Sequence, residues 1–322
     1  MPFSTPSAMP AESAVPWHLL EAALAPLAED APAPGADSRR LLHGRGGKVP
    51  GWEFLSLDYF APVLLATLYQ QPAGDLEADL CRRLAELAPL RSLQAVVIQR
   101  RYRPGAPADI VYGRLPETLL ARRGALRFSI RLAERQNIGF FLDMEPGRRW
   151  LEQRVAGKRL LNLFAYTCAF SVVAQAAGAA AVVNVDMSRT ALTRGRDNHR
   201  LNGLSLAGVG FMAANIMKSW GRIHRRGPFD IAVIDPPSYQ PGSFVAAKDY
   251  PRVIRRVPQW LRPGGELLLC LNAPEISSAC LRDLVAEACP ACRFAGRLPA
   301  HPDFPDRDPE RQLKLLHYRY EP

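Results

Sequence analysis

Short apolar runs separated by turn residues set the frame for the second half of the chain. Arg159-Leu-Leu-Asn-Leu-Phe164, Ala181-Val-Val-Asn-Val185, Val209-Gly-Phe-Met-Ala213 and Ile231-Ala-Val-Ile234 are too short for core helices. They read as strands buried on both faces, and Glu266 to Leu271, after Pro263-Gly-Gly265, reads as a fifth. Between them, residues 170–177, 188–202 and 277–288 carry apolar positions at helical spacing, the second opened by a Ser188 cap. Such alternation predicts an α/β fold with a doubly wound, mostly parallel, Rossmann-like sheet. Residues 293–298 and 313–320 are expected to close it.

The first half has a different rhythm. Strands are predicted over 54–59, 63–69, 92–100 and 126–131, with a helix from Leu76 to Leu87. Three regions follow: a flexible N-terminal segment over 1–37, a small α+β domain over 38–135 and the doubly wound domain over 136–322. The first is rich in Ala, Pro and Ser, with room for one short helix from Trp17, and ordered structure is expected from Arg39.

Charge and cysteine content sharpen this picture. The 322 residues carry a formal net charge of +10, with 41 Lys and Arg against 31 Asp and Glu. A polyanionic partner fits that excess, and arginines crowd the small domain from Arg100 to Arg135 with Tyr102 among them. A solvated basic face is the plainer alternative. Six scattered cysteines predict reduced thiols. Cys289-Pro-Ala-Cys292 lacks a second ligand pair, so no metal site is expected. No apolar stretch spans a membrane and the early charges are acidic, so a cytoplasmic location is expected.

The candidate chemistry sits where the predicted strands end, the edge at which open α/β sheets bind ligands. The fourth strand stops at Asp235-Pro-Pro-Ser-Tyr239, because proline lacks the donor a ladder needs. The second ends in Asp186, suited to a ribose diol, and the third leads to Asn215, whose amide suits an adenine amino group. Taken singly, Asp186 and Asn215 could merely cap helices, and Tyr166 and Phe170 could be core. Side by side, these ends describe a site for a nucleoside-containing cofactor. A dinucleotide would want G-x-G-x-x-G after the first strand, yet residues 160–177 contain no glycine. Phe164, Ala165, Tyr166 and Thr167 stand there instead. S-adenosylmethionine has no pyrophosphate, and its sulfonium favours aromatic faces. Methyl transfer is therefore preferred to hydride transfer.

Gln136-Asn-Ile-Gly-Phe-Phe-Leu-Asp143 with Arg148, Asn162 to Thr167, Asn184-Val-Asp-Met-Ser188, Asn198 with Leu201-Asn-Gly203, and Asp235 to Tyr239 resemble the RlmI/RlmK-type class I methyltransferases. The resemblance covers about residues 40–322. It implies S-adenosylmethionine as cofactor and 23S ribosomal RNA, or an assembling ribosomal subunit, as partner, with a homodimer as an option. It also implies that Arg148 and the Phe164–Thr167 turn hold the methionine end, Asp186 the ribose and Asn215 the adenine, with Gln136, Met187 and Asp235 as further cofactor contacts. Asp235, Pro236, Tyr239 and Asn272 would carry catalysis, Tyr239 by stacking on the target base.

The chain departs from the RlmI pattern at one telling position. RlmI-like members carry, just after the fifth strand, the cysteine that C5-cytosine chemistry needs, and here that position is Asn272. Cys270 lies two residues earlier, inside the strand. A base nitrogen, guanine before others, is the expected target. The alternatives are 5-methylcytosine formation through Cys270, or an RNA-binding protein that keeps the scaffold without catalysis.

Overall fold

The computed structural model describes residues 15–29, 36–132, 137–237, 239–240 and 244–322, without the side chains of residues 239, 240, 246 and 247. The small domain is a five-stranded sheet in chain order: β1 (Arg39–His43), β2 (Leu55–Phe60), β3 (Val63–Leu68), β4 (Ala95–Arg100) and β5 (Ala108–Gly113). Only β3 and β4 run parallel, joined through the helix Leu76–Leu90. Every residue of β2 and β3 is buried, so both faces of the sheet are covered. One face packs Leu57, Leu64 and Leu68 against Leu80 and Leu84 of that helix. The other packs Phe60, Leu65 and Val97 against Val172 and Val173 of the large domain. A hairpin of β6 (Leu120–Arg123) and β7 (Leu126–Ser129) fills the seam through Ala121 and Phe128. The two domains therefore share a hydrophobic core.

Structure begins earlier than Arg39, a correction to the flexible segment expected over 1–37. Trp17–Leu24 and Pro26–Glu29 are helical and bury Leu20, Leu24 and Leu27. Those leucines recur at i, i+4 and i+7, one apolar stripe that covers the sheet. Trp52 Nε1 donates to the Pro16 carbonyl at 3.1 Å, and the Trp17 ring meets Trp52 edge-on.

In the large domain, β8 (Arg159–Leu163), β9 (Ala181–Asp186), β10 (Val209–Ala213) and β11 (Phe229–Ile234) are followed by a short pair, β12 (Tyr239–Gln240) and β13 (Phe244–Val245). Then come β14 (Leu261–Leu271), β15 (Cys292–Arg297) and β16 (Lys314–Tyr320). The seven-stranded order is β10-β9-β8-β11-β14-β16-β15, parallel through β14 and antiparallel at β16 and β15. The chain runs outward from β8 to β10, then returns to place β11 on the other side of β8. That reversal opens a crevice beyond the ends of β8 and β11.

Candidate active site

The turn after β8 builds the floor of this crevice. Phe164, Tyr166 and Cys168 have φ of 58°, 46° and 62°, left-handed values that cost non-glycine residues about 1–2 kcal/mol each. Surrounding bonds over-determine the turn. Ala165 N donates to Val185 O at 3.1 Å, Tyr166 N to Asp186 Oδ2 at 2.8 Å, and Asn198 Nδ2 to Thr167 O at 3.0 Å. Thr167 Oγ1 donates to Gly139 O at 2.6 Å. Room for the Cys168 side chain exists only because residue 195 is glycine: a Cβ there would lie 2.4 Å from Cys168 Sγ.

Behind the turn runs a buried polar chain. Asn162 Nδ2 donates to Asn184 Oδ1 at 2.9 Å, and Asn184 Nδ2 donates to Ser171 Oγ at 3.0 Å. His199 Nδ1 lies 2.7 Å from the Gly195 carbonyl, so it must carry the proton, and Nε2 accepts from Ser171 at 3.0 Å. Burial lowers the pKa of this imidazole, in keeping with a neutral ring. Every member is satisfied, as a buried polar chain must be. The motif asparagines act as clamps. Asn198 Oδ1 accepts from Ser129 N at 2.9 Å, while Asn202 holds both backbone groups of Arg127, at 2.8 and 2.7 Å.

A cavity of about 410 Å³ opens over the strand ends, within the range for a cofactor-sized ligand. Phe164, Tyr166, Asp186, Met187, Asn215 and Asp235 line it, joined by Pro236, Pro237 and Asn272. Asp186 accepts Tyr166 N on one oxygen and Ser188 N on the other, both at 2.8 Å, which leaves each oxygen further acceptor capacity. Met187, 47% exposed, offers an apolar surface beside it. Asn215 Oδ1 is buried without a hydrogen-bond partner. Such an orphan costs about 1–3 kcal/mol unless a ligand donor reaches it, and an adenine amino group is such a donor. The acceptor, the diol-binding acid and the apolar surface together fit S-adenosylmethionine.

Asp235 follows β11, and burial, aided by the charge of Asp143 and opposed by Arg148, pushes its carboxyl up to about 7. Tyr250 braces the strand ends beneath it, with its hydroxyl 3.1 Å from Ile234 O and 2.8 Å from Cys270 O.

Three expected cofactor residues do not line the cavity. Ala165 and Thr167 are buried in the turn, where alternate residues point away from the opening. Arg148 is 2% exposed, stacked at 4.0 Å on Phe140 and bonded to the Phe141 carbonyl. It supports the wall from behind, and its charge bears on Asp143 and Asp235. Gln136 and the Tyr239 side chain lie outside the described residues.

Sequence reasoning gave no role to Asp143, the last residue of the quoted Gln136–Asp143 motif. With Phe141 and Asn272 it lines both the cofactor cavity and a second cavity of about 520 Å³, which runs beneath the small domain. Part of the expected basic stripe is neutralised internally. Arg100 pairs with Glu77 at 2.5 Å, and Arg123 pairs with Glu145 at 2.8 Å and Glu152 at 2.7 Å. Cys289 and Cys292 form no disulfide, the Cys292 thiol donating to Cys289 Sγ at 3.3 Å, and the described residues contain no cluster of metal ligands. No helix among them is long and apolar enough to cross a membrane.

The chain matches, over residues 39–319, the family of S-adenosylmethionine-dependent methyltransferases. It is 27% identical over 262 residues to ribosomal RNA large subunit methyltransferase I of Aeromonas salmonicida (strain A449), covering 79% of this chain and 65% of that protein. The chain thus spans just under two thirds of that relative. In three dimensions it is similar to a putative methyltransferase from Streptococcus mutans, with TM-score 0.84 and 21% identity over 97% of this chain and 83% of the other. A structure with the same figures is that of a putative methyltransferase complexed with SAH. At such identity the likeness concerns the fold, while the family match rests on 281 of the 322 residues and takes in both sheets. The chain belongs to the S-adenosylmethionine-dependent methyltransferase family.

Proposed function

We propose that this protein methylates a nitrogen of a ribosomal RNA base, guanine before the others. Ribosomal RNA as substrate is supported by the name of the Aeromonas relative and by the +10 charge. A nitrogen target is supported by one observation above all: among the described residues, no cysteine lines either cavity. Methylation at C5 of cytosine needs a thiolate within reach of the ring. Cys270 is fully buried against Trp150, Leu268 and Leu315, and burial raises its thiol well above the ordinary value. Asn272, not a thiol, stands where the cavities meet.

S-adenosylmethionine supplies, when bound, an electrophilic methyl group on a sulfonium. Asp186, Met187 and Asn215 would hold its nucleoside, and Phe164 and Tyr166 would face its methionine end. The base nitrogen supplies the electron pair of the new N–C bond as the S–C bond breaks, leaving a neutral thioether. Where that nitrogen carries hydrogen, the ionised Asp235 carboxylate receives the proton. Pro236 and Pro237 keep this edge stiff, Asn272 orients the base, and Tyr239 would stack on it. Most of the acceleration then comes from positioning.

The deciding experiment is transfer of labelled methyl from S-adenosylmethionine to total RNA from a strain lacking this gene, beside wild-type RNA. Label confined to the deletion-strain RNA and recovered as a methylguanine is expected. Recovery as 5-methylcytosine would overturn the nitrogen reading, and no label, with cofactor binding demonstrated, would overturn mature RNA as substrate and point to an assembling subunit, a protein or a small molecule.

A further inference from the structure

The second cavity has a built polar wall that the chemistry above leaves unused. Arg40, on β1, is paired to Asp58 of β2 through two bonds, Nε to Oδ1 at 2.7 Å and a terminal nitrogen to Oδ2 at 2.8 Å. Its other terminal nitrogen lies 2.8 Å from His43 Nδ1. A guanidinium has only donors, so Nδ1 must accept and the imidazole proton must sit on Nε2. His43 is thereby fixed in one neutral tautomer. Burial, helped by the charges of Arg40 and Arg45, drops its pKa to about 3. The Arg40 guanidinium also lies 4.3 Å over the Phe304 ring, which the His43 ring meets at 5.2 Å. Within the described residues Nε2 has no partner, and His43 lines the cavity. A wall that spends a buried ion pair on holding one histidine presents a dedicated donor.

The acceptor comes from Asp143, whose carboxyl burial raises above its ordinary value while the nearby charges of Arg40 and Arg148 favour its ionised form. Asp143 lies at the junction with the cofactor cavity. A neutral donor set back from the junction and a carboxylate at it suit guanine, with acceptor O6, then N1–H, then the 2-amino group; uracil shares the first two, as O4 and N3–H, but its O2 would meet the second carboxylate oxygen as an acceptor where guanine offers a donor. Adenine and cytosine present an amino donor where guanine has O6, so their amino group would meet the His43 donor. At the solvent end, exposed Arg45 is stacked 4.1 Å over Tyr69, with Arg101 5.4 Å from the same ring, both lining the cavity. A planar guanidinium held this way suits a phosphate.

We infer that this cavity is the receptor for the target guanosine. His43 Nε2–H binds O6, the Asp143 carboxylate binds the N1–H and 2-amino edge and turns it toward the methyl donor, and Arg45 holds the nucleotide's phosphate. The inference rests on the reading of the protein as a base-nitrogen methyltransferase.

The test is calorimetric titration of the full chain, saturated with S-adenosylhomocysteine, with GMP, IMP, AMP and CMP. GMP should bind tightest and IMP, which lacks the 2-amino group, more weakly, with AMP and CMP weakest. His43→Phe should weaken GMP about tenfold without weakening CMP. His43→Gln, which can accept from Arg40 and still donate, should recover most of the loss. Arg45→Ala, at an exposed position, should weaken all four nucleotides alike. Equal binding of the four by the wild-type protein, no binding of GMP, or a folded His43→Phe variant with unchanged GMP affinity would overturn the assignment. Methyl transfer to RNA is measured alongside. Guanine-selective binding without RNA methylation removes the RNA reading and leaves the cavity assignment. RNA methylation with GMP binding indifferent to His43 and Arg45 does the reverse.

Discussion

Asp235→Asn is expected to make the protein more stable and less active. The carboxyl ordinarily titrates near 3.8, and its surroundings push it to about 7. Between those values the folded state binds a proton that the unfolded state has released, so stability falls as pH rises from about 4 to about 7. Three pH units at about 1.4 kcal/mol each set a ceiling of about 4 kcal/mol. One side of the carboxyl meets a water-accessible cavity, so about half, roughly 2 kcal/mol, is the expected gain at pH 8. In a chain of this size that is a rise in melting temperature of about 3 °C. The assay is scanning calorimetry of both proteins without cofactor, at pH 5 and pH 8. The gap should be roughly a third of its full size at pH 5 and fully open at pH 8. Equal melting at pH 8, or a wider gap at pH 5, would refute the claim that the Asp235 charge is held against its own solvation.

The same carboxyl predicts the pH profile of transfer to a hydrogen-bearing nitrogen. The rate should climb about tenfold per unit below pH 7 and level above it, and Asp235→Asn should flatten that rise. Asn215→Ala should weaken S-adenosylmethionine binding about five- to tenfold in a dialysis assay, through loss of the adenine acceptor. Gly195→Ala should cost about 1–3 kcal/mol in a urea melt, because its Cβ meets Cys168 Sγ at 2.4 Å. Adding Cys168→Gly should recover most of it. RNA containing 5-fluorocytosine should form no covalent complex with the wild-type protein on a denaturing gel, since Cys270 is out of reach; a shifted band would refute this.

The parallel strands were legible because each is an apolar run ended by a polar or turn residue, as at Val185-Asp186 and Ile234-Asp235-Pro236. β1, β5 and β6 were not. Their sequences Arg-Arg-Leu-Leu-His, Ala-Asp-Ile-Val-Tyr-Gly and Leu-Ala-Arg-Arg are polar, and largely half-buried or exposed, because they lie at edges or in a two-stranded hairpin. At the site, Asp186, Asn215 and Asp235 were readable as residues at or just after strand ends, and all three line the cavity. The left-handed turn at Phe164, Tyr166 and Cys168 was hidden, since its strain is borne by bonds from Asp186 and Asn198, 20 and more residues away. Arg148 misled for a related reason. A charged residue reads as a ligand until its burial behind Phe140 and Phe141 is seen.

The helix Arg189–Leu201 begins just past Asp186 and ends at the Asn202 that grips Arg127 in the small domain's hairpin. Thirteen residues make a rod about 20 Å long. A ligand that tightens Asp186 and Ser188 at one end pulls on the same body that seats the hairpin at the other. Any free-energy coupling between the two ends is reciprocal, so if bound cofactor raises affinity for the proposed RNA at the small domain by some factor, that RNA raises cofactor affinity by the same factor. Order of binding would then be a preference set by concentration, and neither substrate need arrive first.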